Sequence, residues 1–238
     1  MSGQLIDIFP LSIFKDKIVI DEKEKNLMIN KIYDIEKISR ENLNNNNNIW
    51  NDKSVWLGDI NGSEFLLKNQ EFKNLSKKIG EKILLYVEAL NIDTKQLKFY
   101  FQKSWATVTR KEQNIQVHSH DQSNISISYY LKKPNDSGNI RFACRPHNEI
   151  AKDIFSEEKV KLGLIKKVDL RNTTTVDIPV EENDICIFPS KTKHSTAPSN
   201  TDESRISISA DISLMLVDSY GHEKLMPHFN NWQEINNS

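Results

Sequence analysis

A chain of 238 residues with 37% hydrophobic and 27% charged residues has the composition of a soluble globular protein. Its formal net charge of −1 gives no electrostatic drive toward nucleic acid or an anionic membrane. No apolar run approaches the roughly 20 residues a membrane span requires, and residues 1–10 lack the basic start and apolar core of a secretory signal.

In chain order, Leu5, Ile6, Ile8 and Phe9, then Ile18, Val19 and Ile20, flank Pro10 and predict an opening strand and a turn. Over residues 21–40, Met28, Ile32, Ile35 and Ile38 recur at helical spacing, with Asp21 and Glu22 at the start and Arg40 near the end, where each suits the helix dipole. The run Asn44 to Asn48 reads as a solvated loop, followed by Trp50 and Val55-Trp56-Leu57. Phe72, Leu75, Ile79, Ile83, Tyr86, Val87 and Leu90 build the apolar stripe of a second helix, with Asn69 as its N-cap. Both helices are expected to pack on a sheet.

Beyond Asn91 the period changes to two. Residues 98–110 carry Phe99, Phe101, Trp105, Thr107 and Thr109, and residues 124–131, 139–144, 173–178, 184–188 and 205–212 are also strand-like. Pro134-Asn135-Asp136-Ser137-Gly138 is a strong turn signal. Many short strands joined by turns predict an α+β protein: a jelly roll, or double-stranded β-helix, with N-terminal helices on its sheet. Residues 145–167 interrupt the pattern as an inserted lid would. A single domain over 1–238 is expected, with helical support over 1–96, the jelly-roll core over 97–213 and a polar tail over 214–238. Cys144 and Cys186 form no CxxC pair and fall in strand-like runs, which predicts buried reduced thiols in a cytoplasmic setting.

Of the six histidines, His222 and His228 lie in the polar tail and His147 in a loop, and all three are expected to be structural or surface residues. His118 and His120 precede a strand at spacing i, i+2, so in extended backbone their imidazoles share a face and could hold one metal. Asp121 is the rival second ligand. On a regular strand it points away, so it would need a bulge to ligate, or it could orient an imidazole from behind. His194 stands apart from the other three, because it follows a buried-strand run and a proline turn and precedes the strand-like run 205–212.

These residues resemble the Fe(II)- and 2-oxoglutarate-dependent dioxygenases, in a branch of bacterial and phage oxygenases distantly akin to prolyl hydroxylases. The likeness runs through Ser104-Trp105-Ala106-Thr107, His118-Ser119-His120, Ser128-Tyr129-Tyr130-Leu131 with Ser137-Gly138-Asn139-Ile140-Arg141-Phe142, and the closing block Asp184-Ile185-Cys186-Ile187-Phe188-Pro189-Ser190, His194 and Arg205-Ile206-Ser207. It implies Fe(II) held by His118, His120 and His194, O2 as oxidant, and 2-oxoglutarate consumed to succinate and CO2 as a substrate C–H is hydroxylated. It also implies that Arg205 binds the far carboxylate of 2-oxoglutarate, helped by Ser207 and by Tyr130, or else Tyr129. Where the family usually has a carboxylate, position 120 is histidine. The prolyl-hydroxylase likeness suggests a peptidyl or free amino acid as prime substrate, with residues 145–167 and the N-terminal helices as specificity elements. A homodimer is compatible with this reading. Two alternatives stand beside it: a cupin-like metal enzyme that does not use 2-oxoglutarate, and a non-catalytic jelly-roll module. Zinc hydrolysis is disfavoured by the lack of an HExxH pattern.

Overall fold

A computed structural model describes residues 4–43, 55–56, 63–143, 150–218, 226 and 228–235. The first apolar stripe folds as helix α1 (Glu22–Leu43) and the second as α2 (Lys73–Ala89). Met28 and Ile32 of α1, and Leu75, Ile79, Ile83 and Val87 of α2, are all 2% exposed or less. Burying each such side chain contributes about 1.5–3 kcal/mol, which holds both helices against one face of the larger sheet. Asp21 starts α1 by accepting from the backbone N–H of Lys23 at 2.9 Å and of Glu24 at 3.4 Å. Asn69 does not cap α2. A 3₁₀ turn, Gln70–Phe72, intervenes, and the Asn69 amide instead donates to the Leu66 carbonyl at 2.8 Å. The inserted turn moves the helix start beyond the reach of Asn69.

The strands are β1 (Phe14–Lys17), β2 (Val55–Trp56), β3 (Leu97–Thr109), β4 (Ile125–Lys132), β5 (Ile140–Ala143), β6 (Thr175–Ile178), β7 (Asp184–Pro189), β8 (His194–Thr196) and β9 (Arg205–Leu216). They form a six-stranded sheet ordered β1-β7-β4-β9-β3-β2 and a three-stranded sheet ordered β6-β5-β8. All ladders are antiparallel. This is the double-stranded β-helix expected from the alternating runs. On the larger sheet Ala106, Val108, Ile125, Ile127, Ile185, Ile187, Ile206 and Ile208 face the helices. Tyr130, Cys186 and Phe188 turn the other way and pack with Ile140 and Phe142 of the smaller sheet.

Three local features differ from the period-two reading. A bulge between Phe101 and Lys103 reverses the facing of β3. Phe99 and Phe101 therefore pack with the helix-side cluster, whereas Trp105 and Thr107 line the space between the sheets. Strand β9 continues past residue 212 to Leu216, with Met215 and Leu216 buried. Strand β8 escapes the pattern because three residues are too few to show a period. The turn after β4 is as expected: Asp136 and Gly138 adopt φ of 57° and 80°, and Ser137 Oγ donates to the Pro134 carbonyl at 2.7 Å.

His228 is not at the surface. It is 9% exposed, its Nε2 lies 2.5 Å from the Tyr100 hydroxyl, and its ring stacks on Phe229 at 4.6 Å. The short extended apolar stretch Leu5, Ile6, Ile8 and Phe9 is exposed; the opening strand is β1, just after it. Cys186 is buried, and burial raises its thiol to about 12, so it is inert. In the insertion, α3 (Glu157–Lys161) is the one helix among the described residues. Trp50, Leu57, the run Asn44 to Asn48, Cys144, His147 and His222 lie outside the described residues.

Candidate active site

His118 and His194 meet through their backbones: each N–H donates to the other's carbonyl at 2.9 Å, an isolated antiparallel bridge on the free edge of β8. His120, two residues on, is tied down by its own N–H donating to the Ser190 carbonyl at 2.9 Å. The extended spacing and these ties bring three imidazoles together, with one nitrogen of each within 4.8 Å of the others. The ring centroids of His118 and His194 are 4.3 Å apart, and those of His118 and His120 are 5.1 Å apart.

Each ring has its Nδ1 committed elsewhere. His118 Nδ1 lies 2.8 Å from the Gln116 carbonyl, and His194 Nδ1 lies 2.9 Å from the Thr192 carbonyl. His120 Nδ1 lies 2.7 Å from Asp211 Oδ1. All three partners are acceptors, so each Nδ1–H donates and Nε2 is the nitrogen each ring offers to a ligand. His120 Nε2 is buried without a hydrogen-bond partner. Burial, with His118 beside it, holds His194 at about 3, so it stays neutral. Three imidazoles that converge with each Nδ1 turned to an acceptor, one of them with an orphaned Nε2, form a donor set suited to a divalent first-row metal such as Fe(II). Asp121 is not in this group. It is exposed, and its nearest side-chain partner is Ser119 Oγ at 3.5 Å. The acceptor behind an imidazole is Asp211, from β9.

The imidazoles open onto a cavity of about 430 Å³ between the sheets, within the size range of small-molecule sites. Its wall includes the small polar side chains of Thr107, Ser128, Thr196, Ser207 and Ser209, with Lys103 and Trp105 from β3 and residues 115–119 from the preceding loop. Trp105 stacks on His120 at 5.5 Å. Neither α1, α2 nor any described residue of the 145–167 insertion lines the cavity. Both helices pack on the opposite face of the sheet, and β3 and the loop before His118 contribute to the cavity wall.

Arg205 lies behind Thr196 and is 1% exposed. Its Nη1 donates to the Ser137 and Gly138 carbonyls at 2.7 and 3.0 Å, and its Nη2 to Thr109 and Thr196 hydroxyls at 3.1 Å each. No carboxylate is among these partners, Nε has none, and burial lowers the guanidinium pKa. Gly138 is required here, since a Cβ would lie 2.1 Å from the Ala197 carbonyl oxygen. Tyr130 sits opposite Ser207 in register. Its buried hydroxyl lies near Ser128 and Arg205 without meeting hydrogen-bond geometry with either, and burial raises its pKa. Tyr129 faces the helices and donates to the Ile18 carbonyl at 3.0 Å. Arg205 thus keeps a spare N–H near the Tyr130 hydroxyl, and donors of this kind suit an anion.

Sequence reasoning assigned no role to Asp211, Thr109, Thr196 or the Gln116 and Thr192 carbonyls. Asp211 had a signal: it continues the alternation Arg205, Ser207, Ser209, which puts an acid on the inner face of a buried strand. The two carbonyls had none, because backbone groups leave no mark in a sequence.

Residues 103–211 match the family described as "Putative 2OG-Fe(II) oxygenase". Among solved structures, HygX from Streptomyces hygroscopicus, crystallised with nickel and 2-oxoglutarate, is similar at 11% identity, covering 85% of this chain and 83% of its own, with a TM-score of 0.51. The α-ketoglutarate-dependent epimerase SnoN from nogalamycin biosynthesis is similar at 15% identity, covering 92% and 88%, with a TM-score of 0.51. AviO1 from Streptomyces viridochromogenes Tue57 is similar at 12% identity, covering 91% and 92%, with a TM-score of 0.51. No curated protein matches the sequence.

Proposed function

Because residues 103–211 belong to the 2-oxoglutarate- and Fe(II)-dependent oxygenase superfamily, we propose that His118, His120 and His194 hold the iron, that Arg205, Ser207 and Tyr130 bind 2-oxoglutarate, and that the prime reaction is hydroxylation of a substrate C–H. The observation that carries this reading is the pairing of a convergent three-imidazole group with a buried arginine that reaches the same cavity's wall through the Thr196 hydroxyl. When bound, Fe(II) with 2-oxoglutarate and O2 supplies the oxidising chemistry, with succinate and CO2 as products.

The chain's own residues bind and orient. Nδ1–H donation to Gln116, Asp211 and Thr192 fixes each imidazole in the tautomer that ligates. Arg205 Nε and the Tyr130 hydroxyl offer donors to the far carboxylate, and the four existing bonds to Arg205 keep its fork from swinging to meet it. Small side chains at Ser128, Ser207 and Ser209 leave room for the cosubstrate's carbon chain. Above them, Trp105 shields the His120 side of the site.

Hydroxylation of a peptidyl or free amino acid is supported by the motif likeness to prolyl hydroxylases. The fold itself is permissive, as SnoN is an epimerase. Lys103 and Gln116 in the cavity wall suit a polar substrate with a carboxylate or amide. A single domain over the whole chain, a cytoplasmic setting and a bacterial or phage source belong to the same reading; no helix among the described residues is long and apolar enough to cross a membrane. A cosubstrate-free dioxygenase would also use three histidines, but it gives Arg205 no anion to hold. Anaerobic titration with Fe(II) and 2-oxoglutarate tests the proposal. A weak visible charge-transfer band should develop, with succinate appearing once O2 is admitted, and a folded protein that binds Fe(II) without responding to 2-oxoglutarate would overturn it.

A further inference from the structure

Asp211 is fully buried in the middle of β9, where an unpaired carboxylate would be strongly penalised. It is surrounded by donors instead. Oδ1 accepts from His120 Nδ1 and from Ser126 Oγ, each at 2.7 Å, and Oδ2 accepts from Gln122 Nε2 at 3.2 Å. The Ser126 hydroxyl is in turn 2.9 Å from that of Ser190, which accepts from Ser123 at 2.8 Å. Ser190 also holds the His120 backbone through its carbonyl, so backbone and ring of His120 are set by one connected polar network. Three side-chain donors, from His120, Ser126 and Gln122, thus converge on the carboxylate.

The three imidazoles carry no negative charge themselves, whereas a two-histidine-one-carboxylate site carries one on the metal. We propose that Asp211 is a positioning residue that sets a carboxyl group behind His120: it holds the Nδ1–H tautomer, fixes the ring plane against Trp105, and makes Nε2 a stronger donor to the metal. This rests on the reading of His118, His120 and His194 as the ligands. It goes further in naming a fourth side chain that sets affinity for the metal without touching it. It also accounts for His120 occupying a position where the family usually has a carboxylate: the acid has moved one layer outward, onto a neighbouring strand.

Anaerobic titration of the full chain with Co(II) tests this by two readouts, the dissociation constant and the visible ligand-field spectrum. Asp211→Asn keeps the shape and one acceptor oxygen but removes the charge. It should weaken Co(II) binding about 10- to 100-fold and shift the cobalt spectrum. A purely structural Asp211 would lower the melting temperature of the metal-free variant while leaving both readouts of the folded protein alone. Affinity within threefold of wild type with an unchanged spectrum overturns the proposal. If Asp211→Asn fails to fold, the double variant Ser126→Ala/Gln122→Ala loosens the carboxylate without altering it. That variant should weaken Co(II) about 2- to 10-fold, and unchanged affinity again overturns the role. His194→Ala separates the two levels of the argument. If it binds Co(II) as wild type does, the ligand assignment itself has failed. If it abolishes binding while Asp211→Asn leaves it intact, only the role of Asp211 has failed.

Discussion

Replacing Arg205 with Met separates cosubstrate binding from folding more cleanly than any other single change in this protein. In the metal-free protein Arg205 is a buried cation with four neutral acceptors and no carboxylate among them. Exchanging a buried charge for an apolar side chain of similar length is often neutral or stabilising. Here it also strands the Ser137 and Gly138 carbonyls, at a cost of about 1–3 kcal/mol. These effects oppose one another, so apo stability should change by less than about 2 kcal/mol. Binding of 2-oxoglutarate has no such compensation. Losing one charge-assisted bond of about 1.5–3 kcal/mol weakens it about 10- to 150-fold. The difference is measurable as thermal protection. At a concentration 100 times the wild-type dissociation constant, 2-oxoglutarate stabilises by about 2.7 kcal/mol. For a variant bound about 100-fold more weakly, the same concentration gives about 0.4 kcal/mol. Anaerobic melting with and without 2-oxoglutarate, alongside Fe(II) affinity measured alone, is the assay. Loss of metal binding equal to the loss of 2-oxoglutarate binding, or protection equal to that of wild type, would refute the assignment of Arg205.

Tyr130→Phe deletes a hydroxyl buried without a partner, so apo stability measured in urea should hold or rise, while 2-oxoglutarate affinity falls about 2- to 10-fold; a large loss of stability would show that the hydroxyl has a structural partner. Gly138→Ala places a Cβ 2.1 Å from the Ala197 oxygen at a φ of +80° and should cost about 2–4 kcal/mol in urea unfolding; a cost below about 0.5 kcal/mol would contradict the turn geometry. His194 is held at about 3 against an ordinary 6.5, so between those values the unfolded chain binds a proton that the fold refuses. Metal-free stability should accordingly be full above pH 6.5 and fall as the pH drops toward 3, by up to about 1.4 kcal/mol per unit. His194→Asn should flatten that slope by about one proton, and identical slopes in denaturation series with chelator would count against a neutral buried His194.

Sequence alone determined what depends on local period and residue type. Helical spacing located α1 and α2 because one apolar stripe must be buried, and alternation located β3, β4, β5, β6, β7 and β9 because one sheet face must be buried. The i, i+2 spacing of His118 and His120 marked two of the three imidazoles that converge in the structure, because side chains two apart on extended backbone share a face. Tertiary structure decided what depends on groups distant in the chain. The bulge at Phe101/Lys103 sends Trp105 rather than Phe101 into the cavity, and no local pattern signals where a ladder slips. Which tyrosine turns toward the smaller sheet needed the ladder register, which pairs Tyr130 with Ser207. His228, part of a polar tail in sequence, is buried because Tyr100 from β3 meets it there. Asp211, 91 residues from His120, displaces Asp121 as the acid behind the imidazole because β9 runs past that ring at hydrogen-bond distance. Adjacency in sequence made Asp121 the expectation; adjacency across the sheet supplied the partner.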